Sequence, residues 1–170
     1  MLVSGAVLIS GYLLLHEDTH ATGLAAIERA VSPFVAVEAS SWPLVEGFGV
    51  ARFFEVTQKA TVLLANDREA ETLAGSSGEA AAKILGERFP IACVKLGAEG
   101  AVAVVDGVVH RAEAEPVDEV DPTGAGDAFD GVFLGALARG AGVEDALRRA
   151  CHAGALVAGS AQTWPEAGAR

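Results

Sequence analysis

The chain has little positive charge for its size. Its 170 residues include 12 Lys and Arg against 23 Asp and Glu, which gives a formal net charge of −11. An acidic surface repels phosphate backbones, so this balance argues against nucleic-acid binding. The few basic residues are also spread along the chain. A site for a phosphorylated ligand would therefore depend on backbone amides and a metal ion rather than on a basic patch.

Cysteine is too scarce for a disulfide framework, and long apolar runs are absent. Cys93 lies in an apolar run and Cys151 in a helical pattern, so we predict two reduced, buried thiols in a cytoplasmic protein. The apolar stretch 2–15 is too short to span a membrane and lacks the basic segment that begins a signal peptide. We interpret it as a buried strand followed by a turn, and we expect no membrane partner.

Aromatic residues are few as well, at 6%, whereas 51% of the chain is hydrophobic, so Ala, Val, Leu and Gly must build the core. Short apolar runs alternate with longer amphipathic stretches. The runs predict strands at 6–10, 34–38, 61–65 and 91–95 and a hairpin of 101–105 and 108–111. The stretches predict helices at 19–30, about 44–59, 67–73, 77–89, 126–139 and 143–159. This alternation predicts an α/β fold of three layers, α/β/α, with a mostly parallel sheet.

The most informative segment is glycine-rich and runs from Asp121 to Asp127. Its glycines let the backbone turn tightly and approach a ligand closely. The segment opens a helix, whose first amides, here those of Ala125, Gly126 and Asp127, attract phosphate. Asp127 beside them is placed to accept a proton from an attacking hydroxyl. The alternative is an ordinary loop in which Asp127 caps a helix. The spacing matches neither a P-loop nor a dinucleotide-binding fingerprint.

Residues 120–129 resemble the C-terminal signature of the ribokinase-like (PfkB-type) carbohydrate kinases. The resemblance implies ATP-dependent phosphorylation of a sugar hydroxyl, with ATP and Mg²⁺ as cofactors and a small sugar as substrate. It makes Asp127 the catalytic base, in contact with substrate, and makes Gly124, Ala125 and Gly126 part of the anion hole. It also places Asp121 near a monovalent-cation site, with K⁺ as the candidate ion. Pro122, where the family often has Thr, removes one backbone N–H.

Three further segments support the resemblance. Asn66 and Glu69 fit an N-x-x-E motif that organises Mg²⁺ and phosphate through water; the alternative is a helix cap at Asn66 with an exposed Glu69. Lys95, Gly97 and Gly100 resemble a segment that lines the nucleotide.

Lys95 would then place a positive charge next to ATP. The alternative is a surface lysine without a ligand role. The resemblance places His152 beside the adenine, and the alternative is a partly buried histidine without a ligand role.

The resemblance matches only the C-terminal part of the family. We expect residues 1–170 to form one ATP-binding and catalytic unit, because the family's first strands, Gly-Gly substrate motif and β lid are not recognisable upstream of Ala6. A sheet without those strands exposes an apolar edge. We therefore expect a homo-oligomer, or pairing with a missing N-terminal half. Two alternatives to a sugar kinase stay open: a nucleoside kinase of the same superfamily, and a truncated, non-catalytic nucleotide-binding module.

Overall fold

Strands and helices alternate along the part of the chain that the structure describes. The computed structural model describes the backbone of residues 2–3 and all atoms of residues 5–160. The strands are β1 (Leu2–Val3), β2 (Ala6–Ser10), β3 (Ala30–Val31), β4 (Phe34–Glu38), β5 (Val62–Asn66), β6 (Ile91–Lys95), β7 (Ala101–Val105) and β8 (Val108–Ala112). The helices are α1 (Gly11–Leu15), α2 (His20–Arg29), α3 (Trp42–Phe48), α4 (Val50–Val56), α5 (Asp67–Ala74), α6 (Gly78–Gly86), α7 (Ala125–Ala138) and α8 (Val143–Ala158).

A six-stranded sheet organises the fold, in the order β2-β4-β5-β6-β7-β8. The first four strands are parallel, and β7 and β8 continue the sheet antiparallel as the predicted hairpin. A separate two-stranded parallel pair joins β1 to β3. Helices cover both faces of the large sheet, so the predicted three-layer α/β/α architecture is confirmed. No helix in the described ranges is both long and apolar enough to cross a membrane.

Two local predictions were wrong. The single helix expected at about 44–59 is two helices, α3 and α4, because Gly49 between them has a φ of 92°, which no helix accommodates. Pro43 is tolerated in the first turn of α3 because its missing N–H would be unpaired there anyway. Residues 11–15 also form a helix rather than a turn, capped by the Ser10 side chain, which accepts a hydrogen bond from the Tyr12 amide.

The two faces of the sheet bury different sets of side chains, as strand alternation requires. One face packs against α1 to α6 around Leu63, Val94 and Phe53. The other packs against α7 and α8 around Leu64 and Phe133. Both cysteines are free and buried on this second face, as predicted.

Candidate active site

A polar residue ends each of the four parallel strands. Ser10 ends β2, Glu38 ends β4, Asn66 ends β5 and Lys95 ends β6. The register pairs Ser10 with Glu38 and Asn66 with Lys95, so these side chains lie along one edge of the sheet. Ligands of parallel α/β sheets bind outside this carboxyl edge. The strand ends therefore bring together residues that are far apart in the sequence.

The glycine-rich loop is fastened to the end of α8. The amides of Val120 and Asp121 both donate to the Ala158 carbonyl oxygen, at 2.8 and 3.1 Å. The Asp121 carboxylate accepts from the Thr123 amide at 2.9 Å. Hydrogen bonds from the Thr123 hydroxyl and from this amide lower the pKa of Asp121. Gly124 then takes a φ of 83° and reverses the chain into α7. That left-handed conformation explains the glycine at this position.

The first turn of α7 leaves two backbone donors unused. The Ala125 amide donates to the Pro122 carbonyl oxygen at 3.1 Å, and the Ala128 amide donates to that of Gly124 at 2.9 Å. The amides of Gly126 and Asp127 donate to no acceptor among residues 5–160. The predicted anion hole thus keeps Gly126 and Asp127 as free donors, while the loop itself uses Ala125. The Asp127 side chain is exposed at the same helix end.

Lys95 is not a surface lysine. Its ammonium lies 3.0 and 2.9 Å from the two Asp130 carboxylate oxygens and 3.7 Å from Glu38 Oε1. Its side chain is 13% exposed and that of Asp130 only 1%. A Cβ placed on Gly126 would lie 3.5 Å from Lys95 Nζ. The ammonium is therefore held at the start of α7, next to Gly126, whose amide is free.

Burial and charge act in opposite directions on this ion pair. Burial raises the pKa of Asp130 to about 6, even though the Lys95 ammonium opposes the shift. Burial by itself would lower the pKa of Lys95, but the carboxylates of Asp130, Glu38 and Glu69 together outweigh it, so the lysine pKa is raised. Lys95 is consequently charged at neutral pH.

Sequence reasoning missed Asp130 and Glu38. The available signals were a carboxylate in the apolar part of α7, one turn after Asp127, and a carboxylate ending an apolar strand. Glu38 is held in turn by Ser40, whose hydroxyl donates to Glu38 Oε2 at 2.7 Å and accepts from the Gly11 amide at 2.8 Å. Ser40 adopts a φ of 65°, which is uncommon for a residue other than glycine.

Asn66 and Glu69 form a reciprocal cap at the start of α5. The Asn66 side chain accepts from the Glu69 amide at 3.0 Å, and Glu69 accepts from the Asn66 amide and side-chain NH₂ at 2.9 and 2.7 Å. Glu69 is only 3% exposed, and burial raises its pKa. The alternative interpretation of this motif is therefore correct about the cap at Asn66 and wrong about the exposure of Glu69. Within the described ranges, no group of three or more His, Cys, Asp or Glu side chains could hold a metal ion.

A cavity of about 490 Å³ opens next to the start of α7. Five residues of the predicted site line it: Lys95, Gly97, Gly100, Ala125 and Gly126. Its other walls are mainly apolar and come from segment 114–119 and from the α8 residues Cys151, Gly154, Ala155 and Ala158.

The remaining predicted residues lie outside this lining: Asn66, Glu69, Asp121, Gly124, Asp127 and His152. His152 is half exposed, and its Nδ1 lies 2.8 Å from Glu115 Oε2. Because Glu115 itself lines the cavity, His152 is one residue removed from it.

Gly100 is required by a close approach of two backbone segments. Its φ is 96°, and a Cβ there would lie 2.0 Å from the Ala112 carbonyl oxygen and 2.7 Å from the Ala114 amide nitrogen. Gly154 has a milder role, since a Cβ there would lie 3.3 Å from the Ala125 carbonyl oxygen. Both glycines allow the walls of the cavity to come together.

The chain is similar to known proteins in both sequence and structure. A model of the pfkB family of carbohydrate kinases matches residues 7–166. An adenosine kinase of Schizophyllum commune is 30% identical over 159 residues, which covers 82% of this chain and 46% of that protein. The structure of adenosine kinase from Sinorhizobium meliloti superposes with a TM-score of 0.83 at 24% identity, over 96% of this chain and 51% of that one.

A fructokinase from Vibrio cholerae O395, solved with fructose, ADP and a calcium ion, superposes with a TM-score of 0.80 at 23% identity. It is matched over 96% of this chain and 57% of its own. These structural likenesses show that the fold is ribokinase-like. The chain spans about half the length of the solved relatives and less than half of the curated adenosine kinase.

Proposed function

The chain belongs to the pfkB family of carbohydrate kinases, whose members are ATP-dependent kinases, and from this we propose that it forms the ATP-binding and catalytic part of a sugar kinase. One observation carries the proposal. Two free amides, the Lys95 ammonium and the Asp127 carboxylate meet at the start of α7, beside a cavity of nucleotide size. Donors for phosphate and a base for a hydroxyl are what phosphoryl transfer asks of a protein.

In the proposed reaction, Asp127 accepts the proton of a substrate hydroxyl while that oxygen attacks the γ-phosphorus of ATP. The bond between the γ-phosphorus and the β–γ bridging oxygen breaks, and ADP leaves with the electron pair. The amides of Gly126 and Asp127 receive the negative charge that develops on the transferred group. An amide pair of this kind needs no reorganisation during the reaction, because the helix already fixes its direction.

The residues present fit a divalent cation that arrives on the nucleotide. The part of the chain that is described offers no three-ligand cluster, and the Glu69 carboxylate is already engaged in its cap. Mg²⁺ commonly keeps several waters and binds phosphate oxygens. We propose that Glu69 acts on it through water and that the Asp121 carboxylate lies near a monovalent-cation site. When bound, Mg²⁺ would neutralise part of the phosphate charge.

The adenine ring would occupy the apolar end of the cavity, between α8 and segment 114–119. Pro116, Val117 and Ala155 supply apolar surface there, and Gly154 leaves room for a flat ring. His152 would then lie at the rim, oriented by Glu115.

A nucleoside acceptor is the second candidate for the substrate. It is favoured by the relatives named adenosine kinase in both the sequence and the structure comparison. The region of those relatives that this chain does not span is as long as the region it does span. The choice between a sugar and a nucleoside therefore needs an assay on a full-length form as well as on this chain.

Calorimetry with MgATP, followed by a kinase assay over a panel of sugars and nucleosides, tests the proposal. The chain should bind ATP, and a full-length form should phosphorylate one panel member. Asp127→Asn should lower turnover by about 10²–10⁴-fold with ATP affinity within about twofold, because a general base is lost and phosphate donors are kept. Asp145→Asn, which removes an equal charge outside the cavity lining, should leave both unchanged. Retained turnover in Asp127→Asn would rule out its role as base.

ATP binding without turnover on any panel member, in the full-length form as well, would favour a non-catalytic nucleotide-binding module.

Self-association is a separate proposal. Among the described strands of the large sheet, β2 has only β4 as a neighbour, and Leu8 on it is 43% exposed. We propose that another strand, from a second copy or from an N-terminal half, pairs with this edge. A sharp monomer peak in light scattering at micromolar concentration would contradict pairing between copies.

A further inference from the structure

A buried carboxylate lies directly beneath the phosphate-facing amides and has no part in the reaction proposed above. Asp130 is fully buried in α7, one turn after Asp127. Both of its carboxylate oxygens lie within hydrogen-bond distance of Lys95 Nζ, at 3.0 and 2.9 Å. A buried acid is costly unless it is paired, so this contact determines where the lysine side chain ends.

We propose that Asp130 is a positioning residue: it holds the Lys95 ammonium beside the free Gly126 and Asp127 amides, so that all three groups meet the β- and γ-phosphates of a nucleotide. The proposal rests on the nucleotide-binding function proposed above. It adds a role for a residue that touches neither substrate nor the cavity. Asp130 acts only through Lys95, and Lys95 lines the cavity.

The ion pair connects two elements that must keep a fixed spacing. Lys95 ends β6, whereas Asp130 belongs to the helix whose first turn supplies the amides. With both partners buried, the pair fixes the ammonium relative to that turn, 3.5 Å from where a Gly126 Cβ would lie. Without this partner, the long flexible lysine side chain would not hold its ammonium in one position.

Glu38 offers the competing position. Its Oε1 lies 3.7 Å from Lys95 Nζ, and its other oxygen is held by the Ser40 hydroxyl. Loss of the Asp130 charge would leave Glu38 as the nearest carboxylate to the ammonium among the described residues. The ammonium would then turn toward β4, and its distance from the Gly126 amide would increase. Phosphate affinity should fall although no phosphate-binding residue has been changed.

The test measures MgATP, MgADP and AMP affinity by calorimetry for the wild type, Asp130→Asn, Lys95→Met and the double variant. Asp130→Asn should weaken MgATP binding about five- to tenfold and AMP binding less than about twofold, because only the outer phosphates reach the ammonium. In the Lys95→Met background, Asp130→Asn should have no further effect. The control Asp145→Asn should bind like the wild type.

Unchanged or tighter MgATP binding by Asp130→Asn would overturn the proposal, as would an equal loss for AMP or a further loss in the Lys95→Met background. If Asp130→Asn does not melt cooperatively, Glu38→Gln tests the same proposal by removing the competing carboxylate. Its MgATP affinity should stay within about twofold, and a loss as large as that of Lys95→Met would assign the positioning role to Glu38 instead. A wild type that binds no nucleotide would refute the proposed function itself, whereas wild-type binding with an unaffected Asp130→Asn would refute only the role of Asp130.

Discussion

The two faces of the sheet divide stability and function between them. Among the described residues, the face under α1 to α6 buries the larger set of apolar side chains, among them Phe53, Leu63 and Leu85. The face under α7 and α8 buries a smaller set, and its helix α7 also contains the buried Asp130. Small residues let α8 approach the first turn of α7 closely. We infer that the α1–α6 face provides most of the hydrophobic stabilisation. The α7–α8 face contributes less of it because this face also forms the site.

The strongest test of this division exchanges one buried ring on each face for alanine. Phe53→Ala and Phe133→Ala should each lower the free energy of unfolding by about 4 kcal/mol, because both rings are fully buried. Only Phe133→Ala should also weaken ATP binding, since Phe133 belongs to the helix that supplies the amides. Urea denaturation and calorimetry measure the two effects. Equal ATP affinities for the two variants would contradict the conclusion that only the α7–α8 face supports the site.

A second test asks whether stability depends on the close approach of two backbone segments at Gly100, next to the site. Gly100→Ala should cost about 3 kcal/mol, because its Cβ would meet the Ala112 carbonyl oxygen at 2.0 Å in a backbone conformation that already disfavours alanine. Gly75→Ala is the matched control. It also has a positive φ, of 69°, but nothing lies within 4 Å of the added Cβ, so about 1 kcal/mol is expected. Similar losses would mean that φ matters and the contact does not.

The smallest predicted effect is a pH dependence that comes from Asp130 on the α7–α8 face. The pKa of Asp130 is about 6 in the folded protein against an ordinary 3.8, so the folded state holds this proton more tightly than the unfolded state does. The contribution of Asp130 to stability therefore falls as pH rises from about 4 to 6, and it is constant above that range. Lys95, Glu38 and Asp127 are the charged groups that act on it.

Asp130→Asn lacks this titration. Its stability relative to the wild type should rise by about 2 kcal/mol between pH 4 and pH 7, measured by urea denaturation at four pH values. A constant difference between Asp130→Asn and the wild type would mean that Asp130 keeps its ordinary pKa.

Most strands could be predicted because their apolar runs are short and clearly bounded. Residues 34–38 and 91–95 were predicted to the residue, and the Asp106-Gly107 turn correctly predicted the hairpin. The helices were harder where a glycine interrupts an amphipathic pattern. Gly49 ends one helix and begins another, and only its φ of 92° reveals the break. Residues 11–15 show too short a pattern to indicate a helix, which depends on the Ser10 cap.

The sequence alone determined the alternation of elements, the glycine-rich loop and the family, because each depends on residues close together in the chain. Only the tertiary structure decided how the site is charged. Lys95 and Asp130 are 35 positions apart, and Glu38 lies on a third element, so no local pattern pairs them. Likewise, the burial of Glu69 and the contact of His152 with Glu115 follow from how the helices pack on the sheet. Burial and long-range pairing set the electrostatics of this site, and neither is encoded in a short segment of sequence.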